Sequence, residues 1–190
     1  MSDADAVAVA PVIDALVALS VRHHIGGSVA SSVHGIPRTT LDVDLVADLS
    51  VADAGPLVRS LEDAYYVDED TVLDAIRRRA SFNALHLETM YKVDVFVMKA
   101  RRYDRQAIDR TEMRALTEGG RLFPVATAED VVLNKLEWFR KGGEASERQW
   151  RDVVNVLSVQ AGHLDERYLA VWAEDLGIAD LLERAQATVR

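Results

Sequence analysis

The chain has 190 residues, 49% of them hydrophobic and 28% charged, and a net charge of −9. This is the composition of one compact globular domain, or of a domain with a small appendage, and it excludes a disordered or fibrous chain. The absence of cysteine excludes disulfides, cysteine-built zinc sites and thiol nucleophiles.

The histidines (His23, His24, His34, His86 and His163) fall in no HExxH or HxH pattern, so a histidine-built zinc site is not expected. An acidic chain repels phosphate backbones at long range, which argues against general nucleic-acid binding. Two basic clusters, Arg77 to Arg79 and Lys99, Arg101, Arg102 and Arg105, read as solvated faces and are what keeps a tRNA partner open. The N-terminus is acidic where an export signal is basic. No run approaches the roughly 20 apolar residues that span a bilayer. A cytoplasmic protein with no membrane partner is the expectation.

In chain order, residues 11–23 read as an amphipathic helix with Val12, Leu16 and Leu19 on one face. A short strand at His24 and Ile25 leads into Gly26, Gly27 and Ser28, and then into a short helix, VASSV, that ends at Gly35. LDVDLVADL, residues 41–49, alternates as a strand does. Helices are expected over 51–64, with Leu57, Val58 and Leu61 inward, and over about 70–79. Residues 81–89 and 92–98 read as a strand hairpin, 103–110 as a helix, and EMRALTE with RLFPVA as a second hairpin about Gly119 and Gly120. From Thr127 the chain turns helical. Thr127 and Asp130 have the spacing of a helix cap, and Val132, Leu136 and Phe139 share a face. A helix over about 146–160 follows, with Trp150, Val153, Val154 and Leu157 along one side. Two shorter helices come after it, the first opened by Asp165 and the two separated by Gly177. Trp138, Trp150 and Trp172 are read as core, with nucleobase stacking as the minority alternative. His34 is read as structural or capping.

Three features carry chemistry. The glycines before Ser28 let backbone N–H groups approach an anion at a helix N-terminus, although no P-loop pattern is present and the turn alone also fits a plain glycine bend. Asp42 and Asp44, two apart in a strand, project from one face, with Leu41, Val43 and Leu45 on the other. Hard oxygen ligands of this kind suit Mg²⁺ with substrate phosphates, while an isolated pair also fits two solvated aspartates. Asp94, alone among valines, points away from Val93, Val95 and Val97 and is costly to bury unpaired. If its strand lies beside the first, three carboxylates meet and suffice for phosphoryl-transfer metals; a salt bridge to Lys92 is the alternative.

In this order and spacing the sequence resembles the DNA polymerase β-like nucleotidyltransferase superfamily. GGSVASSVHGIPRTTLDVDLV matches its glycine–serine turn, short helix and DxD strand, and VDVFV matches its third-carboxylate strand. Within it the chain is most similar to small bacterial AbiEii-type toxins and their relatives. Arg38, Thr39 and Thr40 before the aspartates match that group's R-x-T-x-D-x-D run, and residues 128–157 match its helical region. The resemblance implies that Gly26, Gly27, Ser28, Arg38 and Thr40 hold the nucleotide. It makes Asp42 and Asp44 metal ligands, and Asp94 the third ligand or the general base. Lys135 would contact phosphate or acceptor, oriented by Asp152. It further implies a nucleoside triphosphate as substrate with Mg²⁺ or Mn²⁺, a tRNA, protein or small-molecule acceptor, and an antitoxin as a partner.

The expected fold is thus α/β: a short mixed sheet with helices against one side, residues 1–125, and a helical C-terminal region, 126–190, packed on it. The expected activity is metal-dependent transfer of a nucleotidyl group to a hydroxyl. The alternative is a non-catalytic nucleotide-binding or toxin–antitoxin component acting through protein contacts.

Overall fold

A computed structural model describes residues 3–40, 42–117 and 119–189. Leu41 and Glu118, assigned above to a strand and a hairpin, lie outside the described residues.

The first helix, α1, spans Asp3–Ala18 and begins well before residue 11. Pro11 removes one intrahelical hydrogen bond, yet Ala8, Val9, Val12, Ile13 and Leu16 are all buried. Tertiary burial of that stripe overrides the local break. Strand β1 (His23–Ile25) then runs through Gly26 into α2 (Gly27–His34). Strand β2 (Asp42–Ala47) carries the aspartates. The stretch expected as one helix over 51–64 is a 3₁₀ turn at Val51–Asp53, then α3 (Ala54–Leu61), and the chain leaves it for a short strand, β3 (Tyr65–Tyr66). β3 is too short to show periodicity. It exists because its backbone pairs with a neighbour.

Helix α4 (Glu69–Arg78) leads to strands β4 (Ser81–His86) and β5 (Lys92–Val97), then to α5 (Arg102–Asp109) and strands β6 (Glu112–Ala115) and β7 (Leu122–Val125). Four helices complete the chain: α6 (Ala128–Lys141), α7 (Glu147–Val159), α8 (Glu166–Asp175) and α9 (Ala179–Val189). Thr127 Oγ1 accepts from the Asp130 N–H and so caps α6, as its spacing implied. No helix among the described residues is long and apolar enough to cross a membrane.

The strands form one mixed sheet in the order β3-β4-β5-β2-β1-β7-β6. β2 lies parallel to β5 and β1 parallel to β7, and the other neighbours are antiparallel. Val43, Leu45, Val93 and Val95 face the back of the sheet and are almost wholly buried. Helix α1, in contact with β5 and α3, covers that side. The opposite face is not left open. α2 seats on β2, and α6 and α7 pack on α2. Helices therefore flank both faces, because the aspartate-bearing side also needs cover for its apolar margins. The parallel pair β1 and β7 feeds two helices, α2 and α6, that start side by side. A hydrogen bond of 2.7 Å from His34 Nε2 to the Ala126 carbonyl ties the end of one to the start of the other, a structural role for that histidine.

Gly27 fixes how closely α2 approaches β2. Its φ is +53°, and a Cβ built there would sit 1.7 Å from Asp44 Oδ2. Gly143 has a similar φ, +69°, with nothing within 4 Å of its missing Cβ. Gly143→Ala carries backbone strain alone, about 1–3 kcal/mol, whereas Gly27→Ala adds a collision with Asp44. Urea unfolding of both variants is expected to show the larger loss for Gly27→Ala, and equal losses would mean that α2 does not rest on Asp44.

Candidate active site

Alternation along β2 puts Val43 and Leu45 behind the sheet and Asp42 and Asp44 in front. The parallel register sets Asp44 opposite Asp94 and Asp42 opposite Lys92. Asp42, Asp44 and Asp94 thus occupy one face of two adjacent strands. Each carboxylate has its own protein partner. Thr40 Oγ1 donates to Asp42 Oδ1 at 2.7 Å, Lys92 Nζ lies 2.7 Å from Asp94 Oδ2, and the Ser28 N–H donates to Asp44. So disposed, no group of three or more histidine or acidic side chains is gathered to hold a metal ion among the described residues. Burial, reinforced by the charges of Asp42 and Asp94, pushes the Asp44 carboxyl above its usual range. Like charges crowded on one face, all with oxygen donors, fit a hard divalent cation, whose charge would relieve that repulsion.

The Gly26–Ser28 turn lies against Asp44: the Gly26 N–H donates to the Asp44 carbonyl at 2.8 Å, and the start of α2 sets its positive dipole end beside the carboxylate. A cationic arm closes the other side. Arg38 donates to Asp152 through both Nε (3.1 Å) and Nη2 (3.0 Å), and also to Ser28 Oγ. Lys135 Nζ donates to Asp152 Oδ2 at 2.9 Å and to Gln149 Oε1 at 3.2 Å. Burial raises the Asp152 carboxyl, but the bonds from Arg38 and Lys135 outweigh it and hold the group below its usual range. Burial pushes the Lys135 ammonium down, and Asp152 restores only part of that. Gln149 is the member that sequence reasoning missed. Its one signal is the three-residue offset from Asp152, which shares a helix face.

A cavity of about 290 Å³ opens beside these groups. Gly26, Gly27, Ser28, Asp44 and Lys135 line it, together with the apolar Val46, Phe96, Met98, Val131 and Trp138, the charged Lys99, Arg101, Asp104 and Glu137, and His24. Trp138 is not core: it is 50% exposed and meets Phe96 edge-on, ring centroids 6.0 Å apart. Trp172 is core as expected, and Trp150 is partly buried against Phe139.

His24 sits in this wall as a neutral imidazole. The Thr111 hydroxyl spends its proton on the Ile108 carbonyl at 2.8 Å, so it can only accept from His24 Nδ1, 3.3 Å away. The proton is therefore on Nδ1, and Nε2 is a buried acceptor without a partner. Burial, helped by the neighbouring His23, pushes the ring down to about 4.

One arginine of each basic cluster is held by acidic partners. Arg101 bonds Asp104 (2.7 Å) and Glu137 (2.6 Å), Arg78 bonds Asp74 (3.0 Å), and Arg79 donates to the Met98 carbonyl.

No family model matches the chain, and no curated protein matches it. Solved structures do. The solution structure of the antibiotic-resistance factor ANT(2″)-Ia superposes with a TM-score of 0.59 at 11% identity, over 97% of this chain and 99% of that one. The fold is that of the nucleotidyltransferases. Two further nucleotidyltransferase-fold structures bear this out. One is ANT(2″)-Ia in complex with adenylyl-2″-tobramycin (TM-score 0.56, 13% identity, 98% and 99% covered). The other is an antigenic nucleotidyltransferase-like protein from Paracoccidioides brasiliensis (0.56, 15%, 98% and 93%).

Two consequences follow from this nucleotidyltransferase-fold site. Lys135 and Asp152 have side chains only 6% exposed, so Asp152→Ala strands two cations and is expected to cost about 3–5 kcal/mol in chemical denaturation. A loss below 1 kcal/mol would show the pair to be solvated. His24 titrates near 4 when folded and near 6.5 when unfolded. The unfolded chain alone takes up this proton as pH falls, so stability is lost between about 6.5 and 4, by about 3 kcal/mol at the acid end. Unfolding free energies at pH 7 and pH 4 are expected to differ by that much less in His24→Gln, and equal pH dependences would mean that the folded protein charges this ring.

Proposed function

We propose that the chain is a metal-dependent nucleotidyltransferase that moves a nucleoside monophosphate from a nucleoside triphosphate to a hydroxyl acceptor. The observation that carries this reading is the contact of the Gly27–Ser28 turn with Asp44. It sets an anion-binding backbone against a carboxylate suited to a cation, with a second carboxylate across the strand pair. The likeness to ANT(2″)-Ia, one structure of which holds adenylyl-2″-tobramycin, supports it.

In this reading the Gly26–Ser28 turn receives the triphosphate through the Gly27 N–H and the serine hydroxyl, since the Gly26 N–H donates to the Asp44 carbonyl and the Ser28 N–H to the Asp44 carboxylate. Arg38 and Lys135, fixed by Asp152, add positive charge from the helical side. Thr40 steers the Asp42 carboxylate. Asp42, Asp44 and Asp94 would hold Mg²⁺ or Mn²⁺, which when bound neutralises phosphate charge as the leaving group departs. The acceptor oxygen attacks the α-phosphorus, the bond from that phosphorus to the bridging oxygen breaks, and pyrophosphate leaves. Where Asp94 serves as the general base instead of the third metal ligand, the acceptor proton passes to its carboxylate, which Lys92 orients. Residues 1–125 supply the nucleotide cradle, and 126–190 close over it. The AbiEii-like motifs support a tRNA, protein or small-molecule hydroxyl as acceptor, with an antitoxin as the partner of a toxin of that kind.

Incubation with α-labelled ATP, GTP, CTP and UTP, Mg²⁺, tRNA and whole lysate is expected to move label to one acceptor class. Asp44→Asn should abolish that transfer, and Ser28→Ala should weaken triphosphate binding by about 0.5–1.5 kcal/mol, the worth of one hydrogen bond. Metal–nucleotide binding by Asp44→Asn equal to the parent's would refute the assignment. Tight binding without any label transfer would identify a nucleotide-binding module instead.

A further inference from the structure

The cavity beside Asp44 has more room than a phosphate needs, and part of its lining is apolar and aromatic. Phe96 and Trp138 meet there edge-on, with Val46, Met98 and Val131 alongside. Trp138 lines this space and is half exposed, which is unusual for a tryptophan beside a closed core. Lys135 and Trp138 are three apart on α6, so one helix face offers a phosphate-seeking ammonium and, about one turn away, a flat aromatic surface. A nucleoside triphosphate has that layout: an anionic head, then a sugar, then a flat base.

The carboxylates that line the cavity beside Trp138, Glu137 and Asp104, are already paired. Glu137 carries Arg101 and Lys141, and Asp104 carries Arg101. A polycationic acceptor would find no free carboxylate here. Asp42 and Asp94, the outer carboxylates, are not among the residues that line the cavity. An acceptor hydroxyl approaching Asp94 therefore comes from outside it, and the cavity is left for the molecule held at Gly27 and Ser28.

We infer that the Phe96–Trp138 part of the cavity is the nucleobase slot, with the Trp138 indole stacking on the base. This rests on the phosphate-cradle reading above and deepens it. Stacking alone reads no hydrogen-bond pattern, so the slot holds any flat base and favours purines by their larger face.

The test compares binding of Mg-ATP, Mg-GTP, Mg-CTP, Mg-UTP and Mg-tripolyphosphate to the parent, Trp138→Ala and Trp138→Phe, by calorimetry on the full chain. Trp138 is exposed, so both variants are expected to melt with the parent. Trp138→Ala should weaken the purine nucleotides by about five- to 150-fold, the usual cost of losing one stacked base, and leave tripolyphosphate within about twofold. Trp138→Phe should keep most of the nucleotide affinity. Nucleotide should quench tryptophan fluorescence in the parent and not in Trp138→Phe, which retains Trp150 and Trp172. If Trp138→Ala binds nucleotide as the parent does while tripolyphosphate still binds, the slot is wrong and the cradle stands. A raised KM for acceptor with unchanged nucleotide affinity would give the slot to the acceptor and overturn the inference. If the parent binds neither nucleotide nor tripolyphosphate, both readings fall.

Discussion

Asp152 is the tie on which this site depends. One carboxylate on α7 accepts from Arg38, in the loop that leads into β2, and from Lys135 on α6. It thereby fastens the helical C-terminal part to the strand carrying the aspartates. Both cations are drawn into poorly solvated positions that a charged group does not enter alone. Their shared partner makes that burial tolerable, and Lys135 lines the cavity beside Asp44. Arg38 also reaches Ser28 Oγ, so the same bond system fixes the phosphate turn.

The opposite charge is handled differently. Asp44 is crowded by two like charges and by its own burial, and what stabilises its ionised form inside the protein is one backbone N–H from Ser28 together with the charge of Lys135. Gly27 makes that bond attainable, because any side chain there would occupy the space of the carboxylate. A negative group held with one donor and two repelling neighbours is poorly satisfied in the free protein. That state favours a positively charged ligand over an empty site. Asp44 and Lys135 thus line the same cavity, a half-buried carboxylate and a buried ammonium beside one space.

Most elements were legible in the chain because their signals are local. The DVD alternation, the valine-flanked Asp94 strand, the cap at Thr127 and the stripe along α7 each follow from period and capping chemistry. What failed depended on distant partners. The start of α1 is set by burial of Ala8 and Val9 and not by Pro11. β3 exists only through its pairing with β4. Arg101 reads as a surface cation until Glu137, far along the chain, is placed beside it. Trp138 has the spacing of a core residue, and the direction of its exposed face comes from the position of β5.

By itself, then, the sequence determined which residues could do chemistry: the glycine–serine turn, the three aspartates and the Lys135–Asp152 pair, because each is written as a short pattern on one element. Only the tertiary structure decided how they meet. Pairing β2 with β5 in parallel register sets Asp44 opposite Asp94, and seating α2 on β2 brings Gly27 onto Asp44. Packing α6 and α7 against α2 then joins Arg38 to a carboxylate 114 residues away. Strand register and helix packing are fixed by the complementarity of whole faces, and no local window of sequence contains both faces at once.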